Sequence, residues 1–450
     1  MKKTLVISIL ILSLLTGCEG FLDNPPPTGL SADKLVDIPS MQALIAGAYD
    51  LARTFVPQSS LYATAMVRDV IVVNRAEYAQ FYDHQLSDNM SSWMYTSAYS
   101  VLHNINTVAT SDVEKMQGTV AVKNAVLGDM HFLRALVYFD LNNYFELPST
   151  GYSVPLVKVP IGANDRVSCT PSADIIKSIE EDIELARTYF KETSGVSNYY
   201  AATALAARIY FFNKEYDKAY ERANEVIASG KYKIENDVKA PFVPKANSLE
   251  NIFSFKYNSA DGSGNSPTST TYEAYQLNES SGFYRLNPEE VLSHLMLTDS
   301  TDKRYLAFYT KQPSYTYING KYSTDQMSLI YIRLAEMYLT RAEANIMKNN
   351  SVSQQDIDDI NIIRKRANAS TVINSIPDVQ TTLDIIFNER TKELAIENGD
   401  HYLNVKRLQK GIVRIPSEGT GLKPYSEYSD LLAFPFPPNE VIIHNLTRNP

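Results

Sequence analysis

The chain has 450 residues, with 51 acidic against 42 basic side chains and a formal net charge of −9. That balance, without a concentrated basic run, argues against nucleic-acid binding, which uses lysine and arginine to release counterions from phosphates. Two cysteines in the whole chain exclude a dense disulfide framework.

The chain begins with a leader. Lys2 and Lys3 precede the apolar stretch 4–15, "TLVISILILSLL". A membrane-spanning helix takes about 20 apolar residues, so this shorter run reads as the core of a secretory signal. No later run approaches spanning length. Thr16 and Gly17 lead to Cys18, and "LTGC" resembles the bacterial lipobox, in which the signal is cut before the cysteine and the new N-terminus is acylated. Residues 1–17 are therefore expected to be a lipoprotein signal peptide and Cys18 the lipidation site. Stable anchoring takes more than one acyl chain, at about 0.8 kcal/mol per buried methylene. Residues 18–30 would then be anchor and tether, since the three prolines of "NPPPTG" (24–29) favour an extended chain. Lipidation of Cys18 leaves Cys169 without a partner, as a buried structural thiol. No further linker is evident, so residues 31–450 are expected to form a single domain.

Apolar residues recur at helical spacing through much of that body. Residues 38–54 align Met41, Leu44, Ile45, Ala48 and Leu51. A helix follows at 91–109, with Trp93 near its start expected in the core. Another at 123–145 aligns Val126, Met130, Leu133, Val137 and Leu141, and Pro148 closes it. Ser172 is the expected N-cap of a helix over 172–190. Residues 201–232 hold two helices in which Ala207, Tyr210, Ala219 and Ala223 occupy the small and aromatic positions of the tetratricopeptide pattern. Thr203 and Lys231 replace that pattern's tryptophan and proline. A second pair spans 328–350, with Ala335, Tyr338, Ala342 and Ala344, and 353–369. Such pairs bury their faces only against neighbours. The expected fold is mainly α: three or four tetratricopeptide-like helix pairs in an uneven superhelix, with long irregular loops and a few short strands.

Between 233 and 327 the pattern fails. Residues 251–257, "NIFSFKY", alternate as a short strand. Residues 258–287 are rich in Gly, Ser, Thr and Asn, interspersed with Tyr272, Tyr275, Phe283 and Tyr284. A stretch like this is either a functional loop or a disordered insert.

Several motifs then carry a family resemblance. "CEGFLDNPP", "HFLRALVYFDLNNYFELP" (131–148), "IRLAEMYLTRAEANI" (332–346), "INIIRKRANA" (360–369), "IIFNERTKELAIENGDHYLNVKRL" (385–408) and "LLAFPFPPNEVIIHNLTRNP" (431–450) resemble, in order, signatures of the SusD/RagB family of outer-membrane nutrient-binding lipoproteins. The chain departs from the pattern at Glu146, His401, Asn404 and Leu408, and by an insertion within 149–156. The resemblance implies a surface lipoprotein that captures an oligosaccharide and passes it to a TonB-dependent, SusC-like transporter. Two alternatives stay open: the same architecture taking up peptides, and a periplasmic helical-repeat scaffold.

The residues themselves give little support to catalysis. The six histidines are scattered, with no metal-ligand spacing, and "DGSGNS" (261–266) lacks the Lys-Ser/Thr of a phosphate loop. No enzyme activity, metal or cofactor is expected. Glu336, Glu343, Glu389, Arg390 and Glu393 read as an ionic lattice between helices, and "FPFPP" (434–438) as a rigid cover for the core. Binding suits the composition better, with 30 tyrosines to one tryptophan. A tyrosine ring offers an apolar face to the C–H face of a sugar and a hydroxyl to its edge, while Asn, Asp and Arg supply planar hydrogen bonds. The expected ligand residues lie in two segments: Arg68, Asp69, Arg75, Tyr78, Phe81 and Tyr82 within 68–89, and Tyr272, Tyr275, Phe283 and Tyr284 within 258–287.

Overall fold

The computed structural model describes residues 36–87, 89–162, 165–244, 247–261, 266–276, 282–286, 292, 295–296, 299–313, 315–368, 372–409 and 430–444. The expected signal peptide, Cys18 and the expected tether lie outside them. Among the described residues there are fourteen helices and six short strands, so the fold is mainly α, as expected.

Four packed helix pairs form the frame: α1 (Ile38–Met66) with α3 (Ser92–Thr110), α4 (Val120–Phe145) with α5 (Ser172–Tyr189), α6 (Tyr199–Phe212) with α7 (Tyr216–Ala228), and α10 (Leu334–Asn349) with α11 (Gln354–Arg366). Between pairs, α3 packs on α4, α5 on α6 and α7 on α10. The stack therefore continues directly from residue 228 to 334, and the irregular segment between them is looped out of it. Helix α2 (Ala76–Asp83) lies in the first inter-helix connection; α12 (Val379–Glu393), α13 (Asp400–Arg407) and α14 (Pro438–His444) follow the last pair.

Local chemistry starts these helices where it can. Asp37 accepts a hydrogen bond from Ser40 N at 2.9 Å, and Asn198 accepts from Tyr200 N and Ala201 N at 3.0 Å. Ser353 and Asp356 close a capping box on α11. Three local expectations fail for tertiary reasons. Helix α1 does not stop at 54 but runs through Pro57 to Met66; every residue from Phe55 to Met66 is buried, and that burial outweighs the backbone bond a proline removes. Ser172 is not the N-cap of α5. Pro171 is, and the Ser172 hydroxyl accepts instead from Asn142 Nδ2 of α4 at 2.9 Å. Residues 329–333 are not helical: "LIYIR" forms β6 (Leu329–Arg333), paired antiparallel with β2 (Asn251–Phe255), and α10 starts only after it.

At the α6–α7 contact, Ala207, Ala219 and Ala223 are fully buried and let the backbones close. Thr203, in place of the pattern's tryptophan, is also buried. Its small side chain leaves room for Arg187, whose Nε donates to Thr203 Oγ1 at 3.1 Å. The main hydrophobic core runs from Ile38 to Phe436. Phe434 and Phe436 seal it as the FPFPP reading expects, with Phe434 stacked on Tyr144 at 5.0 Å and its N–H donating to the Tyr144 carbonyl at 2.7 Å. Cys169 is half-buried against this core, less enclosed than expected.

The acidic and basic motif residues form the expected lattice. Glu336 of α10 binds Arg208 of α6 at 2.9 Å and Arg390 of α12 at 3.2 Å, and Arg390 holds Asp400 at 2.7 Å. Glu393 is shared by Arg304 (2.9 Å), Arg333 (2.5 Å) and Arg366, while Glu250 joins Arg333 and Arg366 at 2.8 Å. Glu389 forms ion pairs with Arg304 at 2.7 Å and with Arg364 at 3.0 Å. Glu343 pairs with Arg407. All are buried. Burial alone would push the Glu393 carboxyl up, but Arg366, Arg333, Arg304 and Lys321 outweigh it and hold the group well below the usual carboxylate range.

Candidate functional site

The two nominated segments are about 200 residues apart in sequence, and the fold joins them. Strand β1 (Val70–Val72) pairs antiparallel with β3 (Tyr284–Leu286), Val70 opposite Leu286 and Val72 opposite Tyr284. Strands β5 (Thr316–Ile318) and β4 (Tyr309–Lys311) complete a sheet of order β1-β3-β5-β4. Helix α8 (Ser269–Tyr275) stands within the second segment, which is therefore partly regular. Its neighbour α9 (Lys303–Phe308) leads directly into β4.

Most of the nominated rings serve this junction. Tyr78, Phe81, Tyr275, Phe283 and Tyr284 are buried to 4% exposure or less, as are Arg68 and Asp69. Tyr62 of α1 stacks on Phe81 at 4.1 Å, and Tyr78 meets Phe283 at 4.5 Å across the two segments. Gln58 Nε2 donates to the Tyr78 hydroxyl at 2.8 Å, and the Tyr284 hydroxyl donates to the Leu61 carbonyl at the same distance. Burial drives the Tyr78 phenol up, so it stays neutral. Asp69 accepts from His401 Nδ1 at 3.0 Å, which ties the segment to α13. These seven side chains correct the expectation of a ligand surface: they are packed inward because an aromatic loop must bury its rings to hold a fixed shape.

Three of the nominated residues keep access to solvent. Arg75 is exposed, and Tyr82 and Tyr272 are half-buried. Arg75 Nη2 lies 2.6 Å from Glu273 Oε1, next to Tyr272, and its guanidinium sits 5.4 Å from the centre of the Phe283 ring. Arg68 covers the Tyr82 ring at 4.2 Å. The backbone beneath is unusual. Arg68, Asn74 and His84 have φ of 64°, 58° and 54°, a region that costs energy for residues with a Cβ and clusters where the surrounding structure enforces it. One enforcing bond is visible: His84 Nε2–H donates to the Met66 carbonyl at 2.7 Å.

Two features escaped sequence reasoning. Trp93, expected in the core, is 50% exposed one position inside the start of α3. The helical stripe buries its neighbours Met94 and Tyr95 instead, and a lone aromatic at a helix start carries no sign of which side it takes. A polar cleft of about 410 Å³ opens where the second segment leaves β2, lined by Asn251, Ser254, Lys256, Tyr257 and Ser328. The Tyr257 N–H donates to Ser328 Oγ at 3.1 Å, while Asn251 Oδ1 is buried without a hydrogen-bond partner. Its lining comes from both ends of the looped-out segment, so no local pattern could reveal it. Among the described residues no group of three or more His, Cys, Asp or Glu could hold a metal, and no helix is long and apolar enough to cross a membrane.

Residues 296–412 match the model described as the SusD family, and residues 20–211 match the one described as starch-binding, associating with the outer membrane. SusD-like protein P2 of Formosa agariphila is 24% identical over 245 residues, 50% of this chain; the match spans 46% of that relative's length. A crystallised SusD superfamily protein from Bacteroides thetaiotaomicron superposes with a TM-score of 0.81 at 21% identity, over 92% of this chain and all of the other. A laminarin-binding SusD-like protein superposes at 0.70 with 18% identity, over 92% and 99%. At such identities the superpositions establish the fold alone.

Proposed function

Since this chain belongs to the SusD family, we propose that it is a cell-surface, glycan-binding lipoprotein that captures an oligosaccharide and passes it to a TonB-dependent, SusC-like outer-membrane transporter. One observation carries the reading. Two distant segments are joined in one sheet over a base of buried rings, and Arg75 pairs with Glu273 at the surface, with half-buried Tyr272 the preceding residue on α8. Tyr272 and Tyr82 supply ring surface, and the Arg75–Glu273 pair supplies planar donors and acceptors already oriented toward each other. The family description as starch-binding and the laminarin-binding structural neighbour support a glycan as the ligand class.

The mechanism is capture without bond cleavage. A surface ion pair contributes little to folding, about 0–1 kcal/mol, so Arg75 is available for a ligand at small structural cost. Cys18 is the proposed acylation point, with residues 18–30 as the tether that lets the body meet its transporter. Residues 31–450 then act as one binding domain.

Calorimetry of the mature protein against a polysaccharide panel including laminarin and soluble starch is the test. Heat with at least one glycan, reduced about tenfold or more in affinity by Arg75→Ala with Tyr272→Ala, is the expected outcome. Heat with oligopeptides and none with any glycan would replace this reading by peptide uptake. Surface labelling of intact cells checks the location, and a protected, internal protein would favour a periplasmic scaffold.

A further inference from the structure

A second concave site lies on the helix stack, away from both nominated segments. It is a cleft of about 940 Å³ between the end of α5 and the α6–α7 pair, within the range of about 300–1,000 Å³ typical of ligand sites. Tyr199, Tyr200 and Tyr232 line it, all half-buried. None of its lining residues comes from 68–89 or 256–286.

The rings are set before any ligand arrives. Tyr199 and Tyr200 meet at 90° with centroids 5.3 Å apart, and Tyr200 and Tyr232 at 73° and 6.4 Å. They stand as walls at steep angles to one another and are not stacked face to face. The Tyr199 hydroxyl accepts from Arg187 Nη2 at 3.0 Å and donates to Glu225 Oε1 at 2.5 Å, and Arg187 pairs with Glu225 at 2.8 Å. Lys231 lies 4.7 Å from the centre of the Tyr200 ring. The loop forming the near wall is pinned from below: Asp129 of α4 accepts from Val196 N at 2.8 Å, Ser197 N at 2.9 Å and the Tyr49 hydroxyl at 2.8 Å. Gly195 makes that approach possible, since a Cβ there would fall 1.9 Å from Asp129 Oδ2. Thr193 and Ser194 also line the cleft, the Thr193 hydroxyl donating to the Ala121 carbonyl at 3.2 Å.

We propose that this cleft is a second saccharide site, for a neutral pyranoside segment of the polymer whose end is held at the Arg75–Tyr272 face. The chemistry is that of a sugar: fixed tyrosine faces for the apolar C–H surface, with hydroxyl, amide and paired charged groups around them for the ring hydroxyls. Glu225 is paired with Arg187, and the other charged lining residues, Lys191, Lys231 and Glu192, are of both signs, so the cleft is not of one charge. An extended peptide docking through side chains would want apolar pockets, and this lining is mainly polar. The proposal rests on the glycan reading of the protein. It adds bivalence, in which two modest sites on one polymer give an avidity above either alone.

The test compares laminarin and soluble starch, as polymers and as short oligosaccharides, on the mature protein by calorimetry and affinity electrophoresis. Tyr200→Ala with Tyr232→Ala is expected to weaken polymer binding about tenfold or more, and with short oligosaccharides to remove one titrated site while leaving affinity at the remaining one unchanged. Ser194→Trp, at an exposed lining position outside the helices, places a bulky ring in the cleft beside the tyrosines and should do the same, which keeps the proposal testable if the double variant unfolds. Unchanged polymer affinity in Ser194→Trp overturns the second site while leaving the first. Absence of glycan binding in the wild-type protein overturns both, and oligopeptide heat abolished by Ser194→Trp assigns the cleft to peptides and overturns this proposal.

Discussion

Asp140 is a carboxyl group whose surroundings oppose its charge. It lies on α4, almost fully buried, and accepts from the Tyr331 hydroxyl at 2.9 Å. Burial pushes its pKa up to about 7 in spite of Arg208 and Tyr331, which favour the ionised form. The sign of the linkage follows. Between the unfolded value near 3.8 and about 7 the folded state binds the extra proton, so stability falls as pH rises through that window and the cost is complete above it. Asp140→Asn keeps the acceptor for Tyr331 and removes the charge. Its stability relative to wild type should therefore rise between pH 4 and pH 8, by about 1–4 kcal/mol at one pKa unit per 1.36 kcal/mol. Thermal unfolding of both proteins across that range checks it, and a gap independent of pH would refute the assignment. At this scale the sequence was a poor guide. Asp140, Tyr78 and Trp93 look alike as polar or aromatic residues in apolar segments, yet the first two are buried and the third is half in water. Exposure depends on what arrives from elsewhere in the chain, and one residue carries no record of that.

Helix pairs are better written in the sequence. The small residues at Ala207, Ala219 and Ala223 predict a close α6–α7 approach, and all three are buried there. Ala207→Leu should force the pair apart and cost about 1–3 kcal/mol, the usual penalty of overpacking a tight interface. Chemical denaturation with an unchanged slope is the measurement, and a neutral result would show slack in the pair. The same logic misjudged two elements. Residues 329–333 carry a pattern compatible with a helix, but β2 offers a strand edge and the segment pairs with it. Residues 55–66 carry a proline that should end α1, but complete burial keeps the helix intact. In both, a partner distant in sequence outweighed a local preference.

Across the whole molecule, the buried lattice links the looped-out segment to the helix stack. Glu393 of α12 touches Arg304 of α9, Arg333 at the end of β6 and Arg366 of α11. Glu393→Gln would leave these guanidinium groups short of a counter-charge in the interior, where removing one partner costs about 3–5 kcal/mol. The Glu393 pKa is held well below its ordinary value, so this contribution is present above about pH 4.5 and fades as pH falls through the folded pKa. The gap between wild type and Glu393→Gln should thus be largest at neutral pH and shrink progressively below about pH 4.5; a series of denaturation curves from pH 7 down to about pH 3 tests it. By itself the sequence determined the helix pairs, because they are encoded by spacing within neighbouring segments, and it marked acidic and basic residues of the lattice and the covering role of residues 434–438 without their distant partners. Only the tertiary structure decided which nominated side chains reach solvent, that segments 68–89 and 258–287 share a sheet, and that a tyrosine-walled cleft opens beside α6. Strand pairing across about 200 residues has no local periodicity to betray it, and a cleft is a property of surfaces that meet only when the chain is folded.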